Sequence, residues 1–99
     1  EETYQLISSG ETPEAIATQR QLALSTIYTH ISQLIRFRKV ELSDVVKLTQ
    51  SELHQIEGVF VECGLMDEMA KLKPAYDGLA EAYSYSVLRC VHADFVRRL

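Results

Sequence analysis

The chain has 99 residues, a length that suits one domain with a core needing no metal or disulfide staples. Hydrophobic residues make up 46 % and charged residues 24 %, the balance of an ordinary globular protein. No apolar run approaches the ~18 residues of a membrane span, no signal-peptide pattern is present, and a formal net charge of -4 sets the chain as a whole against polyanions.

Residues 3–9 read as a short helix with Tyr4, Leu6 and Ile7 inward, stopped at Gly10, which is free to turn left-handed. Thr12 suits an N-cap, Pro13 the first helical position and Glu14 the first turn, so a second helix is predicted over 13–20 with Ile16 inward. A third covers 24–38. Leu24, Ile27, Tyr28, Ile31, Leu34 and Ile35 recur at spacings of three and four, while Ser25, Thr26, Thr29, Gln33 and Arg36 fall on the other face. Residues 42–48 read as a short helix capped by Ser43. Thr49 and Glu52 have the capping-box spacing, and the helix behind them turns Leu53, Ile56, Val59, Phe60 and Cys63 inward until Gly64. Residues 65–82 read as helical with a break before Pro74, and Ser84 caps a last helix that buries Val87, Leu88, Val91 and Phe95. The predicted fold class is all-α, with six or seven helices in a single domain 1–99 and a seam near residues 39–49.

Chemistry-bearing residues are sparse. Cys63 and Cys90 sit among apolar neighbours and read as buried reduced thiols, which favours an intracellular protein. His30, His54 and His92 show no ligand spacing, and neither a phosphate loop nor a nucleophile elbow occurs. No catalytic residue, metal or cofactor is expected, and no enzyme activity of this chain alone. Tyr28 and His30 read as boundary packing, Tyr76, Tyr83, Tyr85 and Phe95 as packing between the last helices, and Arg97 and Arg98 as solvated. The chain opens on Glu1 and Glu2 rather than Met, so a longer parent is expected.

The stretch "IATQRQLALSTIYTH" at 16–30 carries more information. Two helices that cross steeply need a small residue where they meet, a short turn, and a second helix with one polar face free. Ala17 is small, Gln21, Leu22 and Ala23 supply the turn with Leu22 plugging the core, and Ile27 and Ile31 anchor the second helix. Ser25, Thr26, Thr29 and Gln33 are short hydrogen-bonding side chains able to reach base edges. Arg20, Arg36, Arg38 and Lys39 are the candidates for phosphate contact.

From "GETPEAIA" at 10–17 through Leu22, Thr26, Ile27 and His30, the chain resembles the helix-turn-helix of LuxR-type regulators. It is more similar to the C-terminal helix-turn-helix domain of bacterial RecQ-type DNA helicases. There the motif is followed by a helical extension like "ELSDVV" from Glu41, the Leu53-to-Cys63 helix, "LKPA" from Leu72 and "SYSVLRCV" from Ser84. The resemblance covers about residues 3–96 and divides the domain into a helix-turn-helix part, 1–40, and an extension, 41–99. It implies an accessory module of a cytoplasmic, nucleoid-associated, ATP-dependent helicase that unwinds DNA 3′-to-5′ in repair or recombination. ATP and Mg would belong to the upstream helicase core, which would be a partner within the same parent chain. The pattern's usual Ser is replaced by Ala23, which forgoes a cap worth about 1 kcal/mol, and Ser25 offers a cap for a later start.

Charge weighs on this reading. Residues 1–48 hold six acids and five bases, residues 49–99 eight acids and five bases, and between residues 15 and 40 there is no acid at all. The bases cluster at the motif, yet four phosphate contacts give a salt slope of only about -4 in log affinity. DNA contact is therefore expected to be weak and non-specific, with no membrane and no small-molecule substrate. Two other readings stay open: a protein-interaction or packing module whose polar face is merely solvated, and a free-standing helix-turn-helix transcription regulator.

Overall fold

The computed structural model describes residues 2–67 and 69–99. Among them are seven helical elements and no strand: α1 (Glu2–Ser8), α2 (Pro13–Arg20), α3 (Leu24–Arg36), a 3-10 turn (Leu42–Asp44), α4 (Gln50–Glu62), α5 (Lys73–Gly78) and α6 (Tyr85–Arg97). The all-α expectation holds. No helix of the described residues is long and apolar enough to cross a membrane.

Local signals set most boundaries. Thr12 Oγ1 accepts from Ala15 N at 3.1 Å, Ser84 Oγ from Val87 N at 3.2 Å, and Thr49 and Glu52 close a reciprocal capping box at 3.1 and 2.9 Å. Hydrogen bonding from the Thr49 backbone first, and then from its side chain, lowers the pKa of the Glu52 carboxyl. Five helices end in one closure, in which a residue two or three past the helix donates to the carbonyl five positions back and its predecessor donates inside that loop. Gly10 and Gly64 make the left-handed step twice, at φ +90 and +69. Gln21, Arg38 and Ala80 make the same step with side chains, at φ 56, 63 and 54, a conformation that costs an L-residue about 1 kcal/mol or more.

The core runs along α3 and α6, the most extensive helix pairing in the molecule. Ile27, Ile31 and Ile35 are wholly buried on α3, as are Leu88, Cys90 and Val91 on α6. Ile16 closes the core from α2, and Ile56 and Phe60 close it from α4. The Phe60 ring meets His92 edge-on, centroids 5.0 Å apart, and Phe95 at 5.5 Å. Residues on either side of position 40 thus share one core.

Several expectations fail, each for a local reason. The predicted helix over 65–82 shrinks to α5. Leu65 leaves its carbonyl to accept from His92 Nε2 at 2.9 Å, while Met69 N turns to Asp67 Oδ1 at 3.1 Å instead of an upstream carbonyl. Residue 68 of that stretch lies outside the described residues. The 42–48 helix is only the 3-10 turn, capped by Glu41 and not by Ser43. Cys63 is exposed, because α4 ends at Glu62 and the chain swings inward only at Leu65. Leu22 and Leu24 are about 40 % exposed rather than core, since the closure of α2 turns this joint outward. Tyr4 is likewise exposed, and Thr3 takes the inward place. α3 starts at Leu24 with Ala23 as an N-cap that makes no side-chain bond, so Ser25 caps nothing.

Arg97 is not a solvated end, and Arg98, though exposed as expected, is ion-paired. Arg97 donates from Nη1 to the Ile35 carbonyl at 2.9 Å and pairs through Nη2 with Glu41 and Asp94. Arg98 pairs with Glu57 and Asp94. The last turn of α6 is thereby tied to the end of α3 and to α4.

Candidate nucleic-acid interface

α3 is amphipathic, and its two sides divide the labour. The isoleucines fix one side in the core. On the other, Ser25, Thr29 and Gln33 are exposed and Thr26 is half-buried. Spacing of four residues lines Ser25, Thr29 and Gln33 into one stripe, which Arg36 continues. Thr29 Oγ1 donates to the Ser25 carbonyl at 3.0 Å, and Ser32, buried just inside the stripe, donates to the Thr29 carbonyl at 2.8 Å.

The four basic candidates have different surroundings. Arg20 turns into the molecule: its Nη1 donates to Thr3 Oγ1 and lies 3.5 Å from His30 Nδ1. Thr3 in turn lies 3.4 Å from His30 Nδ1, so Arg20, Thr3 and His30 tie α2, α1 and α3 together. A wholly buried Thr3 is explained by this link. Arg36 is half-buried and places its guanidinium carbon 4.7 Å from the centroid of the Phe37 ring. Arg38 and Lys39 are exposed just past the helix end. Tyr28 is half-buried, and burial first, with Glu14 nearby, pushes its phenol up, so it stays a neutral boundary side chain.

A partly open cavity of about 170 Å³ adjoins the stripe. Thr29, Ser32, Gln33 and Arg36 of α3 form one wall, Arg89 and His92 of α6 the other, and Met69, Ala70 and Leu72 the rim. None of the described residues lining it is acidic. Sequence reasoning missed Arg89, because its place opposite Arg36 depends on the α3–α6 crossing. It also missed Phe37, whose signal, an aromatic set among Arg36, Arg38 and Lys39, was present in the chain. Among the described residues no three His, Cys, Asp or Glu come together as a group that could hold a metal.

The short turn between α2 and α3, with a polar face left open on the second helix, defines a helix-turn-helix domain. Residues 1–92 match a protein family described as a helix-turn-helix domain, and the chain belongs to that family. No curated protein and no solved structure matches the chain.

Proposed function

We propose that the chain is a weak DNA-contact module, the accessory helix-turn-helix unit of a RecQ-type ATP-dependent 3′-to-5′ helicase. The observation that carries the DNA contact is the acid-free run from residue 15 to 40, ending in Arg36, Arg38 and Lys39 beside the exposed stripe of Ser25, Thr29 and Gln33. The helicase parentage rests on the sequence resemblance from Gly10 to His30 and from Ser84 to Val91. In that arrangement ATP and Mg belong to the upstream core, and this chain positions the core on its substrate.

Affinity in isolation falls in the non-specific range, on the order of 10⁻⁴–10⁻⁶ M. A tether makes such an affinity useful, because the second contact becomes intramolecular. Titrating the chain and an Arg36→Ala/Arg38→Ala/Lys39→Ala variant against labelled duplex and forked DNA at two salt concentrations tests the reading. The variant should bind all sequences more weakly, with a salt slope flatter by about 0.9 per lost duplex contact. The purified chain should hydrolyse no ATP with or without DNA.

One observation favours the packing-module reading. α3 is held along much of its length by α6, and Arg20 is used inside the fold. Indistinguishable titration curves for the chain and the triple variant would decide for it.

A further inference from the structure

Phe37 is 65 % exposed at the end of α3. Single exposed hydrophobic residues are ordinary, but this one has an unusual setting. The Arg36 guanidinium lies over its ring, and Arg38 and Lys39 follow at once. Arg36 also lines the cavity that Arg89 enters from α6. One guanidinium therefore adjoins both an open aromatic ring and a hollow that Arg89 makes basic and whose described lining residues include no acid.

The end of α3 is firmly built. Arg38 N donates to the Ile35 carbonyl at 3.0 Å and Lys39 N to the Leu34 carbonyl at 2.9 Å. Arg97 adds a second donor to Ile35. The carbonyls of Leu34 and Ile35 are thus occupied, and Arg97 sets a positive charge beside the negative end of the helix. The nearby Glu41 carboxylate is paired with Arg97.

An aromatic ring set among arginines stacks on bases, and a guanidinium beside it holds the adjoining phosphate. Inside an intact duplex every base face is already covered by its neighbours. Only an unpaired base offers a face to Phe37. We propose that this end of α3 is a single-strand site, in which one unpaired DNA base stacks on Phe37 and the neighbouring phosphate sits between Arg36 and Arg89. The proposal rests on the DNA-contact reading above and specifies the strand form that this corner takes.

The test uses the full chain and a labelled oligothymidylate of roughly 12 nucleotides, within the site sizes of small single-strand binders, beside a blunt duplex of equal length. The single strand should bind more tightly than the duplex. Phe37→Ala should weaken single-strand binding roughly 5- to 150-fold, the range of one stacked base, and leave duplex binding nearly unchanged. Arg89→Ala should flatten the single-strand salt slope by about 0.7, whereas Lys47→Ala, which removes the same charge outside the cavity, should not. The chain has no tryptophan, so Phe37→Trp supplies a lone reporter whose fluorescence should be quenched by oligothymidylate. Equal binding of both DNAs with Phe37→Ala silent on each, or no quenching of the Trp variant, overturns the single-strand site and leaves duplex contact by α3 standing. Failure to bind either DNA overturns both readings.

Discussion

Replacing Arg97 by Met should destabilise the chain by about 2–3 kcal/mol, although it is the third residue from the end of the sequence. The Arg97 side chain is 12 % exposed. Its bond to the Ile35 carbonyl is charge-assisted and part-buried, a kind worth about 1.5–3 kcal/mol. Its pairing with Glu41 adds less than about 1 kcal/mol, because that carboxylate is 66 % exposed. Removal leaves no orphan charge, since Asp94 keeps Arg98 at 3.1 Å, and Ile35 keeps the amide of Arg38. Methionine retains most of the apolar stem, so lost packing adds little. Urea unfolding followed by circular dichroism measures the difference, and thermal unfolding should show a midpoint lower by roughly 8–20 °C. Glu41→Gln should cost less than about 1 kcal/mol by itself. A loss below about 0.5 kcal/mol for Arg97→Met, or an equal loss for Glu41→Gln, would refute the reasoning that the carbonyl bond dominates.

Ile31→Ala, at a fully buried position of α3, should lower unfolding stability by roughly 2–5 kcal/mol, and a loss under about 1 kcal/mol would contradict its place in the core. Ala23→Ser should restore the missing cap of α3 and add about 1 kcal/mol, read as a higher urea midpoint at unchanged slope. Thiol labelling of the native chain at neutral pH should modify Cys63 and spare Cys90, whose thiol burial pushes up to about 12. Below pH 9 both folded and unfolded states keep the Cys90 proton. Between pH 9 and 12 only the folded state keeps it, so this group makes stability fall by about 1.4 kcal/mol per pH unit. Cys90→Ala should remove that part of the alkaline decline, and an unchanged alkaline limb would count against the assignment.

What could be read in the sequence was whatever depends on short-range chemistry. Thr12, Thr49 and Ser84 cap where their side chains dictate, and the isoleucines of α3 reveal their buried face by spacing alone. The stretch from 65 to 72 could not be read this way. Its apolar residues fit a helix, but the His92 bond to Leu65, 27 positions apart, holds the chain open. The same limit hid Arg97, whose partners lie 62 and 56 positions upstream. At the candidate interface, the stripe of Ser25, Thr29 and Gln33 follows from the helical repeat. The inward turn of Arg20 follows instead from a polar Thr3 on α1, and the cavity opposite Arg36 from a crossing of distant helices. Cys63 misled because an apolar neighbourhood in sequence says nothing about where a helix stops.

The hydrogen bond from Thr29 to the Ser25 carbonyl has a consequence for chemical complementarity. A hydroxyl has one proton, and here it is committed within the helix. What Thr29 shows to solvent is lone pairs. While that bond holds, an approaching group must bring its own hydrogen, so the amino edge of an adenine or cytosine fits as it stands, whereas a carbonyl edge or phosphate oxygen fits only after the hydroxyl turns out of the helix. Gln33, one turn along the stripe, has both an acceptor and donors. The stripe is thus polar without being uniformly receptive, and oxygen-rich partners are left to the guanidinium groups at its far end.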